Sequence, residues 1–470
     1  MKLYNTLTKK VELVLPLENN TIRMYSCGPT VYDRIHIGNL ASFIYADTLR
    51  RTLRISGLET LHIMNFTDID DKTILRSQQK YPELDSKDAL IKLTQEYSTI
   101  FLEDMKAVGN TLEDISFIKA TESVDNMQQL IRQLIDRDFA YHSDDGIYFS
   151  IGAYQQSGKK YGQLTDITVD STSHARIQND EYNKESAHDF ALWKKQKGNE
   201  PSWDFEIDDA NIKGRPGWHI ECSAMSEARL GKPFDIHTGG VDLIFPHHEN
   251  EIAQSTACEV NPTYASTFFH NEHLLIDGKK MSKSLNNFYT LQDIQDKGYT
   301  PLAFRLLVLQ ARYSKQAHFS WENLEAAQNR LNDLKAFAAL RHQPILETKI
   351  INEIEIQNYN GMIEGQIREF VDDLDVPGAL GYLGMYISHI ETNGYVKEYF
   401  EKLIKTLDLL YGLDLMAVKD ISEDQKQLIS AREQARAAND WATSDSIRDQ
   451  LTEQAIGIRD TENGTIWFPL

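Results

Sequence analysis

The sequence predicts an α/β protein: a parallel-sheet domain split by an insertion, then a helical bundle and a small mixed α/β C-terminal domain. Three observations predict it. Strand and helix patterns alternate over residues 21–66, the βαβ unit of a parallel sheet. Over 139–213 the pattern turns polar and irregular, and sheet-like segments resume at Gly217. From about Leu291 strand signals fade and helical periodicity takes over.

Residues 21–27 read as a short apolar-rich strand. A loop through His36 leads to a helix carrying apolar Leu40, Phe43, Ile44, Leu49 and Leu53. Residues 61–66 read as a second strand with Thr67-Asp68-Ile69-Asp70-Asp71 at its end, where ligands of such sheets bind. Residues 81–137 are expected to be mainly helical. Within the insertion, 146–150 reads as a strand. Beyond it, 234–237 reads as a strand, Gly239-Gly240-Val241-Asp242 as a turn, 246–258 as a helix and 273–276 as a strand leading to the Lys280 loop. Residues 321–340 and 397–411 are strongly helical, as in a bundle. In the tail, 429–452 is helical and 457–468 suggests a hairpin turning at Glu462-Asn463-Gly464. The expected units are 1–138 and 214–272 for the two halves of the sheet domain and 139–213 for a connective insertion. They continue with 273–320 for the region of the Lys280 loop, 321–421 for the bundle and 422–470 for the C-terminal domain.

At 470 residues the chain exceeds one compact core. It has no apolar run long enough to span a membrane, and Met1 to Thr6 show no apolar stretch of a secretory signal. Three widely spaced cysteines, Cys27, Cys222 and Cys258, argue against a disulfide framework and for a reducing cytoplasm. With 49 basic and 70 acidic residues the net charge is −21. Nucleic acid would have to meet local basic patches. Lys194, Lys195 and Lys197 form one such group, and Arg305, Arg312 and Lys315 another; each also reads as a solvated face.

Two segments carry chemistry together. Pro29-Thr30-Val31-Tyr32-Asp33-Arg34-Ile35-His36-Ile37-Gly38-Asn39 precedes a helix, whose free N–H groups and dipole favour phosphate. Asp277-Gly278-Lys279-Lys280-Met281-Ser282-Lys283-Ser284 is a lysine loop hinged on a glycine, able to swing onto phosphates. In this order they resemble the paired HIGH and KMSKS signatures of class I aminoacyl-tRNA synthetases, with Asn39 where the last histidine stands. The resemblance implies a Rossmann-like catalytic domain. It also implies that His36, Asn39, Lys280 and Lys283 stabilise attack of an amino-acid carboxylate on the α-phosphate of ATP, with Mg²⁺, and that Gly38 lets the adenine lie close.

Cys27 ends the first strand, Cys222 lies in Gly217-Trp218-His219-Ile220-Glu221-Cys222-Ser223, and His247 and Glu251 lie in Phe245-Pro246-His247-His248-Glu249-Asn250-Glu251. On a helix, His247 and Glu251 share a face at i, i+4; His248 with Glu251 at i, i+3 is also possible. Two thiolates, an imidazole and a carboxylate suit Zn²⁺, although two cysteines so far apart also read as buried small hydrophobes. The strings around Cys27, Thr67, Cys222 and 234–255, with Asp440-Trp441-Ala442-Thr443-Ser444-Asp445-Ser446-Ile447-Arg448-Asp449 and Gly464-Thr465-Ile466-Trp467, resemble cysteinyl-tRNA synthetases over essentially the whole chain. In that family the cysteine, cysteine, histidine and glutamate matching Cys27, Cys222, His247 and Glu251 bind one zinc. A soft metal prefers thiolate to hydroxyl, so zinc would select cysteine over serine.

The amino-acid pocket is expected to include Gly28, Thr67, Trp218 and His237, the last also readable as a buried histidine. Asp242 is expected at the ribose or the ammonium, or as a turn residue. The resemblance implies a monomer that activates L-cysteine with ATP and passes it to tRNA(Cys). The alternatives are a ligase joining cysteine to a small amine, or a catalytically silent tRNA-binding relative. Adenylate chemistry is expected to need residues up to about Trp321. The C-terminal region would serve the tRNA, with Arg432, Arg436 and Arg448 on phosphates and Trp441 in packing.

Overall fold

The computed structural model describes residues 1–165, 176–177, 189–207, 210–260, 263–281, 287–343, 353–461 and 464–470. Its central sheet has five parallel strands: β1 (Thr21–Ser26), β2 (Glu59–Phe66), β3 (Ile115–Lys119), β4 (Phe234–Gly240) and β5 (Ala265–Asn271). They are ordered β5-β4-β1-β2-β3. Parallel strands are covered on both faces by their crossovers. Accordingly the last five residues of β2 and the first five of β4 are all buried. Chain order reverses between β1 and β4, so the crevice beyond their carboxyl ends is the natural ligand site.

Helix α1 (Ile37–Ile55) connects β1 to β2 and packs Leu40, Phe43, Ile44, Leu49 and Leu53 into the main core. Its buried Asp47 meets three arginines: Arg50 at 3.0 Å, Arg51 at 2.6 Å and Arg305 at 2.7 Å. Arg305 is fully buried on the helix Pro301–Leu309. It also donates to the carbonyls of Val108 and Tyr411 and to Asn110 Oδ1, which joins α1, the segment before β3 and the bundle helix Lys397–Tyr411.

Residues 81–137 are mainly helical, as expected, but β3 lies between the helices Ser86–Ala107 and Val124–Asp136 and forms the sheet edge. Its five residues are too few to display a period. Three placements differ from the sequence reading. Beyond Gly217 the chain forms a helix, α2 (Trp218–Leu230), rather than a sheet segment. Gly239 and Gly240 still belong to β4, and the turn comes at Val241–Leu243. The helix expected over 246–258 is regular only over α3 (Glu249–Thr256); an irregular turn at Ile244–His248, with Phe245 extended, precedes it.

The insertion and the residues just after it form a sheet whose antiparallel path runs Gly214–Pro216, Asp189–Lys195, Gly146–Phe149, Ala140–Ser143, with Arg176–Ile177 added parallel to Asp189–Lys195. Trp193 is fully buried there and donates to the Ile212 carbonyl at 3.0 Å, a packing role. Strand Leu274–Ile276 pairs with Ala317–Phe319 and with Lys279–Lys280. Helices Trp321–Ala339, Glu353–Val371, Val376–Asn393 and Lys397–Tyr411 form the bundle. The helix expected over 429–452 is instead two, Glu423–Ala437 and Trp441–Glu453, broken where Asn439 takes a positive φ and Asp440 caps the second; the hairpin Ile456–Thr461/Gly464–Pro469 follows. Gly464 pairs with Thr461 as the hairpin requires, while Glu462 and Asn463 lie outside the described residues.

Two expectations for this last unit change. Arg432 is buried and gives both terminal nitrogens to Asp460, at 2.7 and 2.9 Å, with Arg436 3.1 Å from the same carboxylate. Arg432 is thus a structural ion pair and not a phosphate contact. Trp441 is 54% exposed with the Arg436 guanidinium over its ring, so it is not core packing.

Candidate active site and metal centre

A cavity of about 320 Å³ opens at the carboxyl edge of the sheet. Cys27, Gly28, His36, Asn39, Trp218 and Asp242 all line it. A second cavity of about 220 Å³ shares His36, Asn39, Ser42, Gly240, Asp242 and Asn271, and adds Gly38 and Met281. The sequence-expected residues from four separate segments therefore meet around one crevice.

At one end stands the start of α1. His36 is its N-cap, and its Nδ1 accepts from the backbone N–H of Asn39 at 3.1 Å. Phe288 meets the His36 ring edge-on at 5.3 Å. Gly38 has a local reason: a Cβ there would lie 2.9 Å from His36 Nδ1, so the missing side chain makes room for the histidine itself. Gly28 is held more tightly. A Cβ on it would fall 1.7 Å from the Asn65 carbonyl oxygen, and its N–H donates to Asn65 Oδ1 at 2.8 Å. Lys280 closes the strand Lys279–Lys280, whereas Lys283 lies outside the described residues.

At the other end the donor atoms of Cys27, Cys222, His247 and Glu251 all lie within 4.8 Å of one another. Cys27 Sγ is 3.8 Å from Cys222 Sγ and 3.6 Å from Glu251 Oε1; His247 Nε2 is 3.1 Å from that same oxygen. A second group, Cys27, His237, His248 and Glu251, overlaps the first. The histidines are oriented from behind. His219 Nδ1 stands 2.8 Å from His247 Nδ1, and His270 Nε2 2.7 Å from His248 Nδ1. Glu251 Oε2 accepts from Tyr264 at 2.8 Å and lies 2.9 Å from His237 Nε2. Trp218 stacks on His247 with centroids 4.3 Å apart.

These contacts set the charge states. The hydrogen bond from Cys27, working against burial, brings the Cys222 thiol down to about 6. Burial, followed by the neighbouring Cys222 and Glu251, pushes the Cys27 thiol well up. Burial also opposes the Glu251 carboxylate, but His237 and His247 hold it below its ordinary range. Burial opposes the charged His247 imidazole too; Glu251 and Cys222 nevertheless raise it. A site that already favours one thiolate and one carboxylate close together suits a divalent cation. The S₂NO donor set is of the kind zinc accepts.

Two expected pocket residues are set back. Thr67 is buried and donates to Glu221 Oε2 at 3.0 Å, so it does not line the cavity. His237 is fully buried behind Glu251, an orienting position. The sequence reading missed Tyr32, Asp70, Lys72 and Asn271 on the cavity wall. The first three lie in or beside strings already singled out; Asn271 sits at the end of β5, a strand that was not singled out. Cys258 lies past α3, donates to the Gln133 carbonyl at 3.5 Å and stays clear of the centre.

A family model described as the tRNA synthetases class I (C) catalytic domain matches residues 13–329, and one for the cysteinyl-tRNA ligase anticodon binding domain matches 418–467. The chain is 36% identical to a cysteine–tRNA ligase of Chlamydia muridarum, over 98% of both chains. It is 38% identical to one of Solibacter usitatus, over 99% of both, and 38% identical to one of Brachyspira hyodysenteriae, over 99% of this chain and 98% of that one. Among solved structures, a methionyl-tRNA synthetase of Mycobacterium tuberculosis in complex with methionyl-adenylate matches at TM-score 0.58 and 13% identity, covering 85% of this chain and 91% of that one. A putative arginyl-tRNA synthetase of Campylobacter jejuni matches at 0.57 and 12%, covering 86% and 94%. At such identities these two show the fold alone. With a crevice at the sheet's switch point, a thiol-rich centre in its wall and relatives matched end to end, the chain belongs to the cysteine–tRNA ligases of the class I tRNA synthetases.

Proposed function

We propose that the protein activates L-cysteine with ATP and Mg²⁺ and transfers the cysteinyl group to the 3′ end of tRNA(Cys). The observation that carries this reading is the tetrad of Cys27, Cys222, His247 and Glu251, set in one crevice with the N-terminus of α1. These residues would hold zinc. When bound, zinc supplies a coordination position that takes a thiolate in preference to a hydroxyl. The neighbouring Trp218 and Gly28 would shape the space for the small side chain.

In the first step a carboxylate oxygen of cysteine bonds to the α-phosphorus of ATP, and the bond to the bridging oxygen breaks to release pyrophosphate. The carboxylate is already ionised, so no general base is required. His36 and the backbone N–H groups that open α1 would bind phosphate oxygens. Asn39 can hydrogen-bond there but adds no charge. Lys280 and Lys283 would meet the charge that develops in the transition state. Asp242 borders both cavities and is suited to ribose hydroxyls or the substrate ammonium. In the second step a hydroxyl of the tRNA's terminal ribose attacks the cysteinyl carbonyl and AMP leaves.

The match of 418–467 to an anticodon binding domain supports tRNA over a small amine as acceptor. We take residues 321–470 to serve the tRNA. Three free cysteines fit a reducing cytoplasm, and we expect a monomer. ATP–pyrophosphate exchange across the standard amino acids, followed by tRNA charging, tests the reading. Exchange should depend on cysteine, with serine rejected by roughly 10⁴–10⁵. Exchange driven by another amino acid would refute it, and exchange with cysteine but no charging would favour the small-amine reading.

A further inference from the structure

We propose that the small polar cavity between the catalytic sheet and the insertion is a phosphate site, taking a backbone phosphate of the tRNA's single-stranded 3′ end. The inference rests on the tRNA-charging reading above. The cavity holds about 100 Å³ and is lined by Lys194, Lys195, Lys197, Arg215, Asp71 and Tyr148, together with Asp145 and Glu200.

Three observations point to an anion. Lys194 and Arg215 lie directly opposite each other in an antiparallel pair. Facing side chains of like charge on one sheet face repel, so the arrangement calls for an anion between them. At present Asp71 fills that place: its carboxylate is 3.0 Å from Lys194 Nζ and in close contact with Arg215. The Asp71 side chain is 44% exposed and can turn outward to give way to a phosphate. Second, the Arg215 side chain is 4% exposed, yet its Nε has no hydrogen-bond partner among the described residues; Glu200 Oε2 is 3.9 Å away. A buried guanidinium N–H left unmatched is costly, and a phosphate oxygen in the cavity would satisfy it. Third, four cations against three carboxylates leave the lining locally positive on a chain of net charge −21.

The location identifies the phosphate's source. Asp71 opens the helix Asp71–Lys80, and the next residue, Lys72, lines the active-site cavity. A strand held at this cavity would stand one residue from the crevice where the adenylate forms. Single strands bend readily enough to turn from there into the crevice, and contacts to their phosphates position the chain without reading sequence. Free phosphate and the pyrophosphate released by activation share this chemistry, so the test must separate them from tRNA.

The test uses the full-length protein carrying Lys195→Ala and Lys197→Ala together, two exposed positions, with Arg215→Gln as a second variant. Cysteine-dependent exchange should stay within about twofold of wild type. The KM for tRNA in charging should rise about tenfold with kcat little changed, and the salt dependence of tRNA binding should weaken by about 0.7 in slope per lost contact. The binding gap between wild type and variant should close on tRNA trimmed of its 3′ single strand. An unchanged KM, or equal weakening on trimmed tRNA, would overturn the proposal. So would loss of inhibition by pyrophosphate or inorganic phosphate at unchanged tRNA KM, which would assign the cavity to a free anion. Absence of cysteine-dependent exchange in wild type would instead refute the activation reading.

Discussion

Replacing the two adjacent histidines one at a time decides which overlapping tetrad binds the metal. In the set with both cysteines, His247→Ala removes one of four ligands, and zinc affinity should fall by more than 100-fold. His219 touches no metal, but its Nδ1 is 2.8 Å from His247 Nδ1 and fixes that ring. Loss of such an orienting partner typically costs 10–100-fold in metal affinity, about 1.4–2.7 kcal/mol, so His219→Ala should fall between His247→Ala and wild type. His248→Ala should leave zinc in place. Its cost should appear in folding, because His270 Nε2, buried and 2.7 Å from His248 Nδ1, loses its partner; a loss of about 1–3 kcal/mol follows. Zinc competition with a chromophoric chelator measures the first quantity and thermal unfolding the second. If His248→Ala releases zinc while His247→Ala retains it, the metal belongs to the set with His237, and the argument from two thiols fails.

Lys283→Ala should lower kcat for exchange by about 10²–10³ with cysteine affinity nearly intact, since the contact expected of it develops in the transition state; an equal loss in cysteine binding, measured by titration, would place it in the pocket instead. Deleting residues 422–470 should spare exchange and sharply lower charging efficiency through weaker tRNA binding; loss of both in a fragment that remains folded by circular dichroism would count against that division. Asp47→Asn should destabilise the catalytic domain by about 3–5 kcal/mol in chemical unfolding, because three arginines lose a buried counter-charge. Burial would raise the Asp47 carboxyl, but Arg305, Arg51 and Arg50 hold it well below the ordinary carboxylate range. Its stabilisation is therefore complete above the unfolded-state value and is lost only as pH falls through the depressed one, so the variant's deficit should be constant across neutral pH and shrink in acid.

The site was legible in the sequence where chemistry is compressed into short strings. His36 to Asn39 reads as a helix start wherever the remainder of the fold lies, and it caps α1. The i, i+4 relation of His247 and Glu251 survives although the turn carrying His247 is irregular, because the two side chains still converge at 3.1 Å. Partners distant in sequence were not legible. Nothing near Glu251 announces that Tyr264 and His237 share its second oxygen, nor does the string around His219 reveal that its ring backs His247. Composition could not separate Arg432 from Arg436 and Arg448, since only the hairpin strand bearing Asp460 makes it a buried pair. The sheet was readable at β1 and β2, whose apolar runs flank a strong helix. At β3, five residues between two helices carry too little pattern to stand out.

Arg305 bears on where the protein can be cut. Its guanidinium reaches Asp47 on α1 and the carbonyl of Tyr411 at the close of a bundle helix, so a bond network crosses the boundary that chain order suggests near Trp321. A fragment ending there would uncover a guanidinium built for the interior and loosen the helix that presents His36. The smallest autonomous activating unit should therefore run through Gly412 instead of stopping near Trp321, so the bundle, besides serving the tRNA, braces the catalytic helix beneath it.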